Sequence, residues 1–300
     1  MRSDIAICIA SFRRPRGLDR LLDAIAGQEL PEPAPAMLVV VADNDAAGSA
    51  REVARAERPG LARPVAYVVE PRRGIPQARN AALAVGLERA EWIAFVDDDE
   101  VPEPGWLAAL IDAQRRSGAD AVTGPVVPDF ERPPPGWVLD GRFFGTPPAA
   151  DGTPVATAAT NNALVRAKCL RDVGARFDEG FVKGDIEGVG EDNELFERLA
   201  ARGATIVWAA AAVVRERVPP DRATLRWLLA RGRRCGRART RIDRLHRRPS
   251  RVARVVREAL GSLLSGAFEV AFGHDLGARA RGLQILSYAA GRVQGLFDRH

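Results

Sequence analysis

The chain has 300 residues, 46% of them hydrophobic, enough to bury one large core or two small ones and to set it apart from disordered and fibrous proteins. Three widely spaced cysteines give no disulfide framework and suit a reducing compartment, and three histidines argue against a His-rich zinc centre. Net charge is +5, but residues 215–258 hold 16 arginines against 4 acids, whereas residues 1–214 carry 24 basic and 32 acidic groups, so the basic rear should favour phosphates.

The opening MRSDIAICIASF has too short an apolar run for a signal peptide and no small-residue cleavage pattern. Ile5 to Ala10 reads as a buried strand, and Leu18 to Gln28 as a helix with Leu18, Leu21, Leu22 and Ile25 on one face. Further strands are expected at 37–42, 65–69 and 92–96, with a helix over IPQARNAALAVGLERA between the last two and another from about Pro104. Strands separated by helices imply parallel βαβ units, whose ligands lie beyond the carboxyl ends of the strands. Those ends carry SFRRPRG, DNDAAG, EPRRG and DDDEVPEPG, all polar and charged.

A strand and a long Pro- and Gly-rich surface excursion follow Val122, and TNNALVR (160–166) reads as a strand. GEDNELFERLAARG is a helix with Gly203 just past its end, and ATIVWAAAAVV is one further apolar strand. Beyond VPPDR the pattern turns helical and basic until Pro249, and one or two amphipathic helices complete the chain. The stretch ALGSLLSGAFEVAFG falls short of the ~20 residues a spanning helix needs and contains Glu269, so it reads as buried or interfacial. The division expected is a catalytic domain over 1–218 and a helical extension over 219–300.

The run Asp97-Asp98-Asp99-Glu100 directly after a buried strand raises a question of charge, because adjacent carboxylates repel and need a compensating cation. Asp97 and Asp99 have the hardness and spacing to share Mg2+ or Mn2+, one of them holding a ribose hydroxyl or a water ligand. The alternative is a cap for the helix that follows. An EF-hand loop is excluded, since Pro102 and Ala108 would stand where Gly and Glu are required. Glu191 and Asp192 begin a helix behind Gly184, Gly188 and Gly190, where the dipole stabilises a carboxylate and a general base could face an acceptor hydroxyl. Arg79 is either on a solvated helix face or within reach of a diphosphate. Asp43 and Asp45 either accept hydrogen bonds from a base or ribose or form an Asx turn.

Taken in order, CIASFRRP, VVVADND, RGIPQARNAAL, FVDDDEVP, TNNALVR and GEDNELFERL resemble the family 2 glycosyltransferases, and in particular their non-processive, exopolysaccharide-assembling branch. The resemblance spans about Ile5 to Arg237 and implies a GT-A fold, an α/β arrangement with a Rossmann-like, mostly parallel sheet flanked by helices. It implies that Ser11, Arg13, Asp43, Asp45, Arg79, Asp97 and Asp98 bind the nucleotide-sugar, with Asp43 on the nucleoside and Asp97 near the ribose. Asp99, with Asp97, would hold the divalent metal, Mn2+ or Mg2+. Asp192, with Glu191 beside it, would be the base of an inverting transfer from a nucleoside-diphosphate sugar, UDP being the commonest carrier, to a saccharide or lipid-linked saccharide. Asn161, Asn162 and Trp227 would lie on the acceptor side.

Two departures matter. Processive relatives carry Gln-x-x-Arg-Trp, and here Arg226-Trp227 lacks the glutamine, which argues against processive synthesis. The histidine that many relatives place after the last sheet strand is missing from AAVVRERVPP, leaving Glu216 as an oxygen ligand in its stead. The arginine-rich stretch fits either an anionic membrane surface, which would make the enzyme cytoplasmic and peripheral on the inner leaflet, or a solvated face in an arginine-biased composition. The competing readings are a sugar-phosphate nucleotidyltransferase, whose usual Gly-rich first loop ASFRRPRG does not match, and a nucleic-acid-binding protein, for which no recognition motif is present.

Overall fold

Alternate residues of a strand face opposite sides of its sheet, and IAICI is apolar at both parities, so it is built to be covered on each side. In the computed structural model, which describes residues 3–62, 64–181, 189–246 and 251–298, strand β1 (Ser3–Ser11) meets that expectation. Its Ile5, Ile7 and Ile9 pack with Leu18, Leu21, Leu22 and Ile25 of helix α1 (Pro15–Ala26). Ala6 and Cys8 face Ala78, Ala82 and Leu83 of α3 (Ile75–Arg89) on the other side. Each of these large aliphatic side chains contributes about 2 kcal/mol of gross burial. Gly86 lets α3 approach, since a Cβ there would lie 2.9 Å from Cys8 Sγ.

The chain forms two compact units, Met1–Val127 with Thr146–Glu216, and Pro128–Gly145 with Arg217–His300. The first contains a seven-stranded sheet in the order β3 (Ala66–Val69), β2 (Met37–Asp43), β1, β4 (Ala90–Val96), β8 (Asn162–Arg166), β6 (Ala121–Thr123), β9 (Ile206–Trp208). The first four strands are parallel, with Ser11 opposite Asp43 and Asp43 opposite Val69, so their carboxyl ends form one edge. The order reverses between β1 and β4, and a crevice opens at such a reversal. Helix α4 (Trp106–Ser117) covers the α1 face, while α6 (Ala167–Asp172) and α7 (Glu191–Ala201) cover the α3 face.

One strand direction that the sequence left open is now defined, and one expectation changes. β8 runs antiparallel to both neighbours, because the chain enters it from the Pro-rich excursion and not through a covering crossover helix. The single strand expected over 204–214 divides into β9 and β10 (Val214–Val218) around a turn closed by Ala212 N–H donating to Ala209 O at 3.1 Å. Four successive alanines have weak strand preference, whereas the flanking Ile, Val and Trp favour it. β10 joins β5 (Glu100–Pro102) and β7 (Val126–Phe130) in a second small sheet, with Glu216 opposite Glu100. The helix at 191–201 ends as expected, with Gly203 at φ +85°.

The second unit is helical: α5 (Gly136–Gly141), α8 (Leu225–Leu245), α9 (Arg251–Phe272) and α10 (Leu276–Phe297). α10 packs extensively on both α8 and α9. Its crossings are backbone on backbone: a Cβ on Gly236 would lie 2.1 Å from Tyr288 O, and one on Gly291 2.1 Å from Arg233 O. Pro249 lies outside the described residues.

Asn162, expected on the acceptor side, is a buried clamp within the first unit. Its Oδ1 accepts from Trp106 Nε1 at 2.8 Å, and its Nδ2 donates to Ala212 O at 2.7 Å and Pro125 O at 3.1 Å. Asn162→Ala strands the buried indole N–H and two carbonyls, so urea unfolding should register a loss of about 3 kcal/mol. A loss below about 0.5 kcal/mol would show that the clamp is dispensable.

Candidate active site

The positive charge required by the acid run comes in part from two guanidinium groups. Arg79 projects from α3, buried, and its Nη2 donates to both carboxylate oxygens of Asp97 at 2.9 and 3.2 Å. Its Nη1 donates to Glu191 at the first turn of α7. Two acidic motifs almost a hundred residues apart are thus joined through one side chain. Burial alone would depress the guanidinium, but Asp97, Glu191 and Asp192 hold it charged. Arg14 serves the next pair, its Nη1 donating to Asp98 at 2.8 Å and Asp99 at 3.2 Å. Asp98 also accepts from Ser11 Oγ at 2.8 Å, which ties the ends of β1 and β4 together at the sheet reversal. Gly17 permits this closeness, since a Cβ there would lie 2.4 Å from Asp98 O.

Two arginines do not fully neutralise the cluster. Burial, reinforced by Asp99, pushes the Asp97 carboxyl up despite Arg79. Burial raises Asp98 to about 6 against the pull of Arg14, and Glu100 rises well above its ordinary range through burial and Asp97. Glu191 is 2% exposed and pushed up to about 7, mainly by burial, and its Oε2 is buried without a hydrogen-bond partner among the described residues. Asp192 is half-buried beside it, its Oδ1 accepting from the Asn193 backbone N–H at 2.7 Å.

The neighbouring strand ends are organised by asparagine and aspartate. Asp43 is fully buried and accepts from Ala50 N at 2.7 Å, Tyr67 OH at 2.8 Å and Asp45 N at 3.0 Å. A carboxylate offers about four acceptor positions, so Asp43 keeps little capacity beyond holding its own loop. Asp45 accepts from Arg13 Nε at 3.2 Å and Ala47 N at 3.3 Å, the Asx turn read as one alternative. Asn44 was not singled out in the sequence, yet it donates to Glu70 O and Arg72 O and accepts from Gly74 N, all within 2.8 Å. Asn80 likewise pins Phe177 to α3, accepting from its N–H at 2.7 Å and donating to its carbonyl at 3.0 Å. On the rim, the guanidinium groups of Arg73 and Arg13 lie 4.0 and 5.1 Å from the Phe12 ring centroid. A cation-rich, aromatic edge of this kind suits a flat base and a phosphate. Arg73 was visible in EPRRG but had no partner in sequence to mark it.

Glu216 is brought to Glu100 by the β5–β10 ladder and adds to the negative field there. Asn161 is half-buried next to the Asn162 clamp. Trp227 belongs to the helical unit, stacked on Phe144 at 5.8 Å. Gly184 and Gly188 lie outside the described residues; Gly190, at φ +101°, begins α7. Among the described residues no group of three or more acidic, histidine or cysteine side chains converges as a preformed metal cage. The donor chemistry nonetheless fits a hard divalent cation: Asp97 and Asp99 retain 30% and 20% side-chain exposure within a carboxylate excess, and such ions usually keep positions for water and phosphate oxygens.

The environment of Glu191 has a pH signature. Its folded value of about 7 exceeds the ordinary 4.5, so the folded chain holds this proton more tightly than the unfolded chain. Stability should therefore fall as pH rises from about 4.5 to 7. Urea unfolding of Glu191→Gln should show a shallower decline over that range; parallel curves for variant and wild type would refute the assignment.

Residues 6–174 match the family described as glycosyl transferase family 2. The chain is 36% identical over 239 residues, 80% of its length and 74% of the relative's, to the succinoglycan biosynthesis protein ExoM of Rhizobium meliloti. It is 27% identical over 133 residues to the glucosyl-dolichyl phosphate glucuronosyltransferase of Haloferax volcanii, covering 43% of this chain and 40% of that one. Among solved structures, the mannosyltransferase PcManGT of Pyrobaculum calidifontis, in complex with GDP-Man and Mn2+, superposes with a TM-score of 0.64 at 20% identity, covering 100% of this chain and 89% of that one. S. aureus TarS 1-349 in complex with UDP gives 0.55 at 14% identity, covering 99% and 93%. The parallel sheet with its acid-bearing edge, the family match and the ExoM likeness lead to one conclusion: the chain belongs to glycosyltransferase family 2 and has the GT-A fold.

Proposed function

We propose that this enzyme transfers a sugar, with inversion, from a nucleoside-diphosphate sugar to a hydroxyl of a saccharide or lipid-linked saccharide during exopolysaccharide assembly. The observation that carries the reading is the Arg79 bridge, which brings the Asp97–Asp99 run and the start of α7 into one place. The similarity to ExoM supports the polysaccharide context, and the nucleotides bound by the solved neighbours support the donor class.

Each side chain then has a definite task. Asp97, oriented by both of its bonds to Arg79, presents its exposed edge to the ribose. Arg13 and Arg73 flank the donor's phosphates and base at the Phe12 rim. Asp99 and Asp97, with Glu216 nearby, would hold Mn2+ or Mg2+. When bound, that ion offsets the charge growing on the diphosphate, an effect worth several kcal/mol in typical sites. Between the two carboxylates at the start of α7, Asp192 is the better base. Glu191 is locked to Arg79 and sealed from solvent, whereas Asp192 is partly open and is held at Oδ1 only by its neighbour Asn193 among the hydrogen bonds of the described residues. Asp192 takes the proton of the acceptor hydroxyl, whose oxygen attacks the anomeric carbon as the nucleoside diphosphate departs.

Calorimetric titration with UDP, GDP and TDP, with and without Mn2+, should identify one nucleotide whose binding requires the metal. Asp99→Asn should abolish that requirement together with tight binding. Asp192→Asn should bind the same nucleotide within about twofold of wild type and lose transfer by 100-fold or more, on the order of a missing general base. Wild-type transfer by the Asp192 variant would sink the base assignment, and metal-independent binding by wild type would sink the metal role.

A further inference from the structure

Helix α9 turns its two acids toward α10 and a row of apolar side chains outward. Arg292 of α10 is 0% exposed, donating to Asp243 of α8 at 2.7 Å and to Glu258 of α9 at 2.6 Å. Glu269, the other acid of α9, faces Arg281 of α10 at 3.4 Å. Glycines line the helix crossings: a Cβ on Gly266 would lie 2.8 Å from Gly282 O. On the outward side, Val256, Leu260, Leu264, Phe268 and Phe272 recur every four residues, and the last three are 64% to 74% exposed. Between Leu260 and Phe272 no exposed residue of α9 is charged. A water-facing helix shows the reverse arrangement.

We propose that this face of α9 seats in the headgroup–acyl boundary of an anionic lipid bilayer, with the helix lying along the surface. The row from Val256 to Phe272 extends about 24 Å at 1.5 Å per residue, long for an isolated patch on a monomer. Among the described residues no helix is long and apolar enough to cross a membrane, so the helix lies on the bilayer and does not span it. Charge selects the occupant. Residues 217–300 carry 19 arginines against 6 acids, and two exposed arginines flank the most exposed part of the row: Arg257, beside its first member Val256, and Arg279, on α10 past its last. A second copy of the chain would bring an equally basic surface against this one, with repulsion opposing every contact. Anionic headgroups match it instead, and the arginine stems can lie across the acyl boundary while their heads remain at phosphate level.

Sedimentation of the full chain with phosphatidylcholine vesicles, with or without about a third phosphatidylglycerol, tests the proposal. Wild type should pellet with the anionic vesicles, weakly with the neutral ones, and less as salt is raised. The double variant Leu264→Glu, Phe268→Glu should bind the anionic vesicles at least about tenfold more weakly. Phe268→Ser alone should show an intermediate loss. Both variants alter exposed positions, so their urea midpoints should match wild type. No vesicle binding by wild type, or undiminished binding by the double variant at an unchanged midpoint, would overturn the proposal. So would a wild-type dimer in sedimentation equilibrium that the double variant converts to monomer, which would assign the face to a second copy.

Discussion

The ion-pair chain Glu191–Arg79–Asp97 is the constraint on which the catalytic unit depends. A guanidinium out of water carries a large desolvation cost unless its donors are met by charged acceptors in good geometry. Arg79 meets two, and those acceptors sit just past the end of β4 and at the start of α7, elements the chain visits far apart. The pairing fixes where the start of α7 lies relative to the sheet edge. It also leaves each carboxylate dependent on the same cation, so the end of β4 and the start of α7 share one electrostatic environment. Coupling of this kind makes substitutions at Asp97 and Glu191 non-additive.

A second level of order comes from short polar staples at the strand ends. Asn44 fastens the loop before α3, and Asn80 fastens the segment around Phe177. Asp98 joins β1 to β4 through Ser11. None of these is a large energy alone, at about 1 kcal/mol each. Together they hold the rim rigid, which is what a site needs if it is to accept a diphosphate without reorganising.

Much of the sheet was legible because its strands are short apolar runs covered on both faces, and the amphipathic α1 repeats every three or four residues. The reversal of β8 was not legible, since strand direction depends on how a long proline-rich connection returns, and composition does not encode that. The acid run drew attention to a bound cation, and Arg14, which pairs with Asp98 and Asp99, was not singled out. Arg79 was read either on a solvated face or within reach of a diphosphate; its pairs with Asp97 and Glu191 were not legible, because they depend on how the end of β4 and the start of α7 come together. Asn162 shows the opposite error. A paired asparagine at a strand start suggested ligand contact, whereas its three hydrogen bonds are all internal. Local sequence shows that a polar side chain is present, and only the tertiary arrangement shows whether its partners are protein or ligand.

The glycine crossings of α8, α9 and α10 have an evolutionary consequence. Where backbone meets backbone at about 2 to 3 Å from an imagined Cβ, even alanine is excluded, so these positions are fixed by geometry. The outward face of α9 is under no such restriction, because nothing in the interior leans on it. The helical unit therefore separates two kinds of selection. Its inside is held constant by geometry, while its outside is free to drift from apolar to polar on one unaltered framework.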